Sequence, residues 1–386
     1  MTQDAFPSVV MEIMTEFAHQ TGLTSERAPR RYLWTDAFAV CEFLELHRLT
    51  GDEKFRKLAL CLVDQVHHVL GRHREDDPRI GWISGLDEHQ GENHPTMRGL
   101  RIGKPLYERM PGELIDELLE WERDGQYYHY LTKWMHALNR VSRETGDLTY
   151  NRWAIELAKT AHDAFTYTTL FDDQKRMYWK MSIDLSRPLV PSMGQHDPLD
   201  GFITYNDLQA TAPKDPEWPN LKVEIADMAD ICKGRDWTTD DPLGIGGLLC
   251  DAYKVAHLVA NRRIDLADLL LTLLKSSHAG LEVYLRGKSL ELPADCRLAF
   301  RELGLSLGLH AVERLQELID GKSDFFDEGP LHSWIENLMQ QVVLGEQIEG
   351  FWLERKNRET DLWTEHYNIN MVMLATSLVP DGYLRF

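Results

Sequence analysis

The sequence has few of the features that mark membrane, secreted and redox proteins. Its 386 residues include five cysteines, none in a CxxC spacing, and Cys41, Cys61 and Cys250 lie in apolar helical patterns that suit reduced, buried thiols. No apolar run approaches the roughly 20 residues that a membrane-spanning helix needs. Residues 1–10 lack the basic-then-apolar order of a signal peptide. We therefore predict a cytoplasmic protein with no membrane partner.

Positive charge is scarce, and cofactor motifs are absent. Lysine and arginine number 42 against 62 acidic residues, a formal net charge of −20, whereas phosphate binding needs clustered cations. The chain contains no P-loop, no glycine-rich dinucleotide motif, no Gly-x-Ser-x-Gly elbow and no HExxH. His67 and His68 are adjacent, so they lie on different faces of a helix. The sequence therefore predicts no nucleic-acid partner, no metal and no cofactor, and it leaves the oligomeric state open.

Linkers are missing too, because no stretch rich in proline, serine and glycine divides the chain. Densely apolar segments instead alternate with amphipathic ones at helical spacing, which predicts inner helices, each followed by an outer partner. The predicted inner helices are 35–50, 126–142, 198–212, 242–260, 294–309 and 365–378. The predicted outer helices are 8–21, 52–70, 151–165, 223–232 and 266–278, with 311–318 and 331–344 following the fifth inner helix. If the first helix pairs with the last, about six pairs close into one ring, and we predict a single domain over residues 1–386.

Two insertions interrupt the helical pattern. Residues 73–120 form a polar connector far longer than the roughly 15 residues usual between elements, and Trp82 with several glycines favours an ordered lid. Residues 176–183 alternate between polar and apolar side chains enough to predict a short strand of a β-hairpin.

The densest polar stretch runs from Met193 to Gly201 and holds His196, Asp197 and Asp200 within five residues. Asp-Pro is a helix-start signal, so these groups are expected at a helix N-terminus, where the helix dipole favours ionised carboxylates. A second Asp-Pro helix-start signal occurs at Asp241-Pro242. In addition, a tryptophan shortly precedes an acid in Trp34-Thr35-Asp36, Trp121-Glu122-Arg123-Asp124, Trp237-Thr238-Thr239-Asp240 and Trp363-Thr364-Glu365.

The alternation of inner and outer helices, with acids and aromatics at the starts of the inner ones, resembles the six-hairpin glycosidase superfamily, whose fold is the (α/α)6 barrel. The resemblance spans nearly the whole chain and rests on the architecture and the Trp-Thr-Asp-type repeats. The characteristic motifs of the N-acylglucosamine 2-epimerases and of the unsaturated glucuronyl hydrolases, which share the barrel, are not matched. The resemblance implies an all-α (α/α)6 barrel that performs carbohydrate chemistry.

The expected catalytic groups are carboxyls. Glycoside hydrolysis needs one protonated and one ionised carboxyl group, and we predict Asp200 with Asp124 or Glu365 in these roles. His196 is a candidate for binding a hydroxyl or transferring a proton, or is a structural histidine beside a turn. Asp197 is assigned mainly to helix capping. We expect Asp36, Asp124, His196, Asp200 and Glu365 to converge on one cavity.

The expected substrate-binding groups combine aromatic rings with polar side chains, which suits sugars. Lys133 shares a helical stripe with Gln126 and Tyr130, and a lysine on the core side implies a carboxylate partner unless it is solvated. Arg98 or Arg101 of the lid is expected to approach the cavity and bind an anionic sugar, or to pair with the protein's own acids. The other candidates are Trp34, Asp36, Trp121, Trp237, Asp241, Trp363, His366 and Asn370.

Three functions remain open on the sequence. The leading hypothesis is a glycoside hydrolase acting on a small or oligomeric sugar. The alternative is a sugar epimerase or isomerase in which His196 and His366 transfer a proton on opposite faces of the substrate. The third is a sugar-binding protein without catalysis.

Overall fold

The computed structural model describes residues 6–169, 173–262, 264–322 and 329–386, and this part of the chain is mostly helical. The helices are α1 (Phe6–Gln20), α2 (Leu33–Thr50), α3 (Glu53–Leu70), α4 (Glu88–Asn93), α5 (Glu117–Glu122), α6 (Tyr128–Thr145), α7 (Thr149–Phe165), α8 (Asp197–Thr211), α9 (Lys222–Cys232), α10 (Pro242–Arg262), α11 (Ala267–Arg286), α12 (Ala299–Gly321), α13 (Pro330–Met339), α14 (Val343–Leu353), α15 (Asp361–Glu365), α16 (Tyr367–Leu378) and α17 (Asp381–Leu384). The strands are β1 (Gln126–Tyr127), β2 (Thr166–Thr168), β3 (Lys175–Met177), β4 (Lys180–Met181) and β5 (Pro188–Val190).

Contacts divide the chain into two compact units. One unit is Ala18–Lys233, called here the 18–233 unit, and the other is Met1–Phe17 with Gly234–Phe386, called the 234–386 unit. The single domain predicted for residues 1–386 stays a prediction.

Three helical hairpins form the 18–233 unit: α2 with α3, α6 with α7, and α8 with α9. In the first hairpin α2 is buried on all sides from Leu33 to Leu46, whereas α3 buries only one stripe, as the predicted inner and outer roles require. The turn follows from the sequence. Gly51 adopts a left-handed conformation (φ 68°) that ends α2, and the Asp52 carboxylate accepts the Lys54 N–H at the start of α3.

The lid segment, residues 73–120, is held against the rest of its unit. The Arg101 Nη1 atom donates to the buried Asp124 carboxylate at 2.6 Å, and the Arg74 guanidinium reaches the same oxygen at 3.3 Å. The Thr96 hydroxyl donates to a backbone carbonyl of α7, that of Trp153, at 2.8 Å. The insertion is therefore ordered, as predicted, and α4 and most of α5 lie within it.

The predicted strand at 176–183 is present as two strands. β3 pairs with β2, and β4 lies between β1 and β5 in a three-stranded antiparallel sheet. Tyr178 and Trp179 separate β3 from β4. Pairing of Gln126 with Met181 and of Tyr127 with Lys180 places this sheet directly before α6.

In the 234–386 unit, α10 packs on α11 and α12, and α12 also packs on α14 and α16. Several boundaries differ from expectation. α12 is a single helix where separate segments 294–309 and 311–318 were predicted, and the predicted segment 331–344 is divided between α13 and α14. The predicted inner helix 365–378 begins at Tyr367, because Glu365 is the last residue of α15. His310 lies between the two predicted segments and is part of the helix, and its ring contacts the carboxylates of Glu313 and Glu349 at 2.8 Å each. Residues 294–296 form a 3-10 turn before the helix.

The expectation that no helix is apolar enough to cross a membrane needs correction. Within the described residues, Pro242–Asn261 passes that test by length and composition. However, 72% of this window is buried inside the protein, as in the core helix of a soluble protein.

Two glycines on α12 and one on α10 allow these helices to approach closely. A Cβ on Gly246 would lie 2.0 Å from the Gly304 carbonyl oxygen, and a Cβ on Gly308 would lie 2.5 Å from the Gly246 Cα. Both clashes are with backbone, which cannot rotate away as a side chain can. The next residue, Gly247, has no atom within 4 Å of an added Cβ.

We predict opposite effects of alanine at these neighbouring positions. Gly246→Ala should lower the free energy of unfolding by about 1–3 kcal/mol because it overpacks the α10–α12 contact. Gly247→Ala should raise it by up to about 1 kcal/mol because alanine is the better helix former. Urea unfolding of the two variants tests this, and equal effects would contradict the proposed close contact.

Candidate active site where helices α6 and α8 begin

Helices α6 and α8 pack together within the 18–233 unit and bring two polar stretches side by side. The Tyr128 hydroxyl, buried at the start of α6, donates to the Tyr205 hydroxyl of α8 at 2.8 Å. Gly201 admits the Tyr128 ring, since a Cβ there would lie 2.2 Å from the Tyr128 hydroxyl oxygen. The glycine that ends the densest polar stretch of the sequence is therefore what lets the two helices meet.

An ion pair joins the two helices at this contact. The Lys133 Nζ atom lies 2.9 and 3.1 Å from the two carboxylate oxygens of Asp200. Both side chains are largely buried, with 16% and 11% of their surface exposed. Lys133 thus has the carboxylate partner that its core-side position implied, and both Asp200 oxygens contact the ammonium group.

A second pair, which we call the imidazole–carboxyl pair, consists of His129 and Asp197. The His129 Nδ1 atom lies 3.7 Å from Asp197 Oδ1, too far for a hydrogen bond. His129 Nδ1 and Asp197 Oδ2 are both buried, and neither has a hydrogen-bond partner among the described residues. The His129 side chain nevertheless remains 28% exposed, so part of the ring is open to a ligand.

The capping role assigned to Asp197 is wrong. His196 occupies the capping position of α8 without a side-chain hydrogen bond, and Asp197 is the first helical residue. The Asp197 carboxyl lies against Gly194, where an added Cβ would come within 2.5 Å of Oδ2. The group is therefore a buried acid whose Oδ2 atom has no hydrogen-bond partner among the described residues, and a backbone hydrogen bond from Gly194 offsets only part of the cost of burying its ionised form.

Burial sets the protonation of this pair. It raises the pKa of Asp197 to about 8, and the Asp200 charge adds to the rise while Lys133 opposes it. Burial also lowers the pKa of His129 to about 4, with Asp200 opposing the fall. Near neutral pH both groups are therefore uncharged, with the proton on the carboxyl group and a free lone pair on the imidazole.

Aromatic rings surround the imidazole. The ring centroid of His129 lies 4.8 Å from that of Tyr130, 5.4 Å from that of Tyr127 and 6.3 Å from that of Trp179. The His129 and Trp179 rings are stacked, with an angle of 22° between their planes. Trp179 in turn contacts Trp121, which is half exposed. A flat, partly open aromatic wall beside polar groups suits the apolar face of a sugar ring.

Two of the predicted site residues are buried and committed to structural contacts. Asp124 is fully buried and accepts hydrogen bonds from Arg101, Arg74 and the backbone N–H of Gly103. Gln126 is also fully buried, and its side-chain amide bonds three backbone groups of the lid segment and the strand region. Their roles toward substrate stay predictions, but the contacts account for both residues.

Other predicted residues of the 18–233 unit lie around α2 and α6. Trp34 is buried against Phe38. Asp36 is buried, accepts the Tyr32 N–H at 2.8 Å, and has its pKa raised to about 6 by burial. The Tyr130 hydroxyl lies 2.5 Å from that of Tyr32. Tyr130 and Lys133 therefore accompany the imidazole–carboxyl pair, whereas Trp34 packs in the core.

The lid arginines have different surroundings. Arg101 is buried and paired with Asp124, so it matches the alternative that an arginine pairs with the protein's own acids. Arg98 is exposed and lines a surface pocket. His196 is half buried, one residue before Asp197.

The remaining candidates lie in the 234–386 unit. Asp241 caps α10 through the Gly244 N–H and pairs with Arg301 at 2.7 Å. Trp237 and Trp363 are buried, and Trp363 stacks on Trp352. The buried Asn370 side chain accepts a hydrogen bond from the Phe300 N–H and donates one to the Trp363 carbonyl. His366 contacts the Phe300 ring, and Glu365 is exposed. The expected convergence of Glu365 with Asp36, Asp124, His196 and Asp200 stays a prediction.

The sequence interpretation missed His129 and the chemistry of Asp197. His129 lies one helical turn before Lys133 on α6, so the same stripe that singled out Lys133 contained the signal. Trp179 was also missed, because its position depends on the pairing of β4 with β1. No group of three or more potential metal ligands is present among the described residues.

Comparison with known proteins identifies the fold. No protein-family model matches the chain, and no curated protein matches it. Among solved structures, D-mannose isomerase matches with a TM-score of 0.53 and 10% identity over 98% of this chain and 99% of that one. Cellobiose 2-epimerases from Spirochaeta thermophila DSM 6192 and Bacillus thermoamylovorans B4167 match with a TM-score of 0.49 each, at 10% and 9% identity, over 97% of this chain and 98% of theirs.

The match to D-mannose isomerase shows that this chain has an all-α (α/α)6 barrel fold. The predicted fold class is thereby confirmed. At this level of identity the likeness concerns the fold alone.

The protonation of Asp197 predicts a pH dependence of stability. Because its folded pKa of about 8 exceeds the ordinary value of about 4, wild type loses stability as the pH rises from 4 to 8. Asp197→Asn mimics the neutral acid and escapes this loss. The stability of the variant relative to wild type should therefore grow across this window, by at most about 1.4 kcal/mol per pH unit.

Urea unfolding at pH 5, 6, 7 and 8 measures the difference. Asp163→Asn is the matched control, since Asp163 is exposed on α7 of the same unit. A constant difference between Asp197→Asn and wild type would show that Asp197 is ionised in the folded protein throughout.

Proposed function

We propose that the protein is a sugar isomerase or epimerase that transfers a proton at the carbon beside a sugar carbonyl. The observation that supports this most is the imidazole–carboxyl pair. An uncharged imidazole at 28% side-chain exposure lies 3.7 Å from an uncharged carboxyl group. The His129 imidazole can accept a proton and the Asp197 carboxyl group can supply one, and general acid–base catalysis needs both.

The proposed steps use only groups of the 18–233 unit. The His129 imidazole removes the proton from C2 of an open-chain aldose, and the electron pair of that C–H bond moves into the C1 carbonyl to form an enediolate. The Lys133 ammonium stabilises the developing negative charge. The Asp197 carboxyl protonates O1, which gives the enediol and leaves an Asp197 carboxylate. For the ketose, this carboxylate takes the proton of the O2 hydroxyl, the O2 electron pair forms the C2 carbonyl, and C1 takes the proton from the His129 imidazolium. For the epimer, the carboxylate takes the proton back from O1, the C1 carbonyl forms again, and C2 takes the proton from the imidazolium on its opposite face after the substrate has turned that face towards His129.

This mechanism replaces the glycoside hydrolase as the main hypothesis. D-mannose isomerase shares the fold, which supports the alternative better than hydrolysis. Hydrolysis also needs an ionised carboxylate that attacks or activates water. Asp200, the acid first chosen for that role, contacts Lys133 through both oxygens. His196 and His366, the earlier proton-transfer candidates, stay predictions.

Exchange with solvent tests the proposal. Mannose, fructose, glucose and cellobiose are incubated with the protein in heavy water, and products are followed by proton NMR. Isomerisation should place deuterium on C1 or C2, and His129→Gln should reduce the rate by roughly 10²-fold or more. His94→Gln is the control, because His94 lies on the lid segment and pairs with Glu156 of α7. Release of a monosaccharide from cellobiose without carbon-bound deuterium would instead establish hydrolysis.

The pKa values of the pair predict a bell-shaped pH profile. His129 must be neutral to accept a proton, so kcat/KM should rise as the pH increases through about 4. Asp197 must be protonated to donate, so kcat/KM should fall as the pH increases through about 8. In Asp197→Asn, a lower maximum without the alkaline fall is expected. An unchanged alkaline limb in this variant would assign that limb to another group.

A further inference from the structure

A second pocket of about 370 Å³ opens in the 18–233 unit, within the size range of small-molecule sites. The lid segment, α7 and the β3–β5 region each supply part of its wall. Its lining includes Arg98, Thr160, Asp163, Tyr178, Leu185 and Ser186, and none of His129, Lys133, Asp197 and Asp200. We propose that this pocket binds a sugar-sized ligand carrying a carboxylate or phosphate group.

The charges in the pocket are the first argument. Arg98 and Asp163 both line it, yet among the described residues neither forms an ion pair with the other or with any third group. Arg98 lacks a carboxylate partner although the chain carries a formal charge of −20. A guanidinium left unpaired in such a protein is available to an anionic ligand through its planar fork. Asp163 can accept hydrogen bonds only, which suits sugar hydroxyls.

The aromatic wall is the second argument. The Tyr178 ring stacks on Tyr167 with centroids 4.3 Å apart and an angle of 14° between the planes. Stacking and the hydrogen bond from Tyr178 N to Phe165 O hold Tyr178 in place. An aromatic face beside an arginine and an aspartate provides the three kinds of contact that a charged sugar needs.

The walls are also preorganised, which reduces the cost of ordering on binding. The Gln126 amide donates to the carbonyls of Arg98 and Ile183 at 3.0 and 2.8 Å. It therefore connects the part of the pocket wall formed by the lid segment to the part formed by the β3–β5 region. Gly99 permits this approach, since a Cβ there would lie 1.8 Å from Gln126 Oε1. On the other side, Leu185 is held in a left-handed conformation (φ 60°) by a turn in which the Asp184 carboxylate accepts from Ser182 and Ser186.

Titration calorimetry with glucuronate, glucose 6-phosphate, glucose and inorganic phosphate tests the proposal. One or both anionic sugars should bind wild type, and more tightly than glucose or phosphate. Arg98→Met should weaken that binding at least about tenfold, as expected for loss of a charge-assisted hydrogen bond. Arg27→Met is the matched control, because Arg27 is exposed in the same unit and lies outside the pocket lining.

His129→Gln separates this pocket from the proposed active site and should leave the binding unchanged. Loss of binding in that variant would place the ligand at the imidazole–carboxyl pair and overturn the proposal. If glucose bound as tightly as the anionic sugars, the anionic group would have no role in recognition and the proposal would be wrong. If inorganic phosphate bound as tightly as they do, the result would indicate an adventitious ion only. Absence of binding by both anionic sugars would also overturn it. The outcome does not depend on whether the protein isomerises sugars.

Discussion

The burial of two titratable groups without a hydrogen bond between them is the constraint on which this account depends. Leaving a carboxyl and an imidazole buried and unsatisfied is costly, and the cost falls when both are uncharged. The neighbouring Lys133–Asp200 ion pair keeps one positive and one negative charge beside them. The contact between α6 and α8 thus holds an acid, a base and a cation together without a net charge.

Much of the surrounding unit serves to fix this contact. β1 leads directly into α6, and its pairing with β4 places Trp179 beside the imidazole. Lys180, fully buried, donates to the Glu120 carboxylate and to two backbone carbonyls at the end of the lid segment. Asp124 and Gln126 anchor the same segment from the opposite side. Several polar residues near the site therefore position others, which explains why composition alone could not separate them from residues that meet a ligand.

The fold could be predicted from the sequence to a large extent because helical periodicity is local. The alternation of an α2 with apolar residues on most sides and a one-sided α3 is visible in the order of the residues. The boundary predicted between Leu309 and Ala311 was wrong, because α12 continues through both residues. The site was predicted less well. Helix-start signals drew attention to Asp197 and Asp200, but the partners of these acids depend on residues distant in sequence, His129 and Lys133 of α6, that only the folded chain brings against them.

The protonation state of Asp197 at neutral pH tests this account most directly. Infrared spectroscopy can detect the C=O stretch of a protonated carboxylic acid, and comparison with Asp197→Asn assigns it. The account predicts a protonated-acid band at pH 7 in wild type that is absent from the variant and disappears as the pH rises past about 8. If no such band distinguishes the two proteins at pH 7, Asp197 is ionised and the imidazole–carboxyl pair does not hold the proton that the mechanism requires.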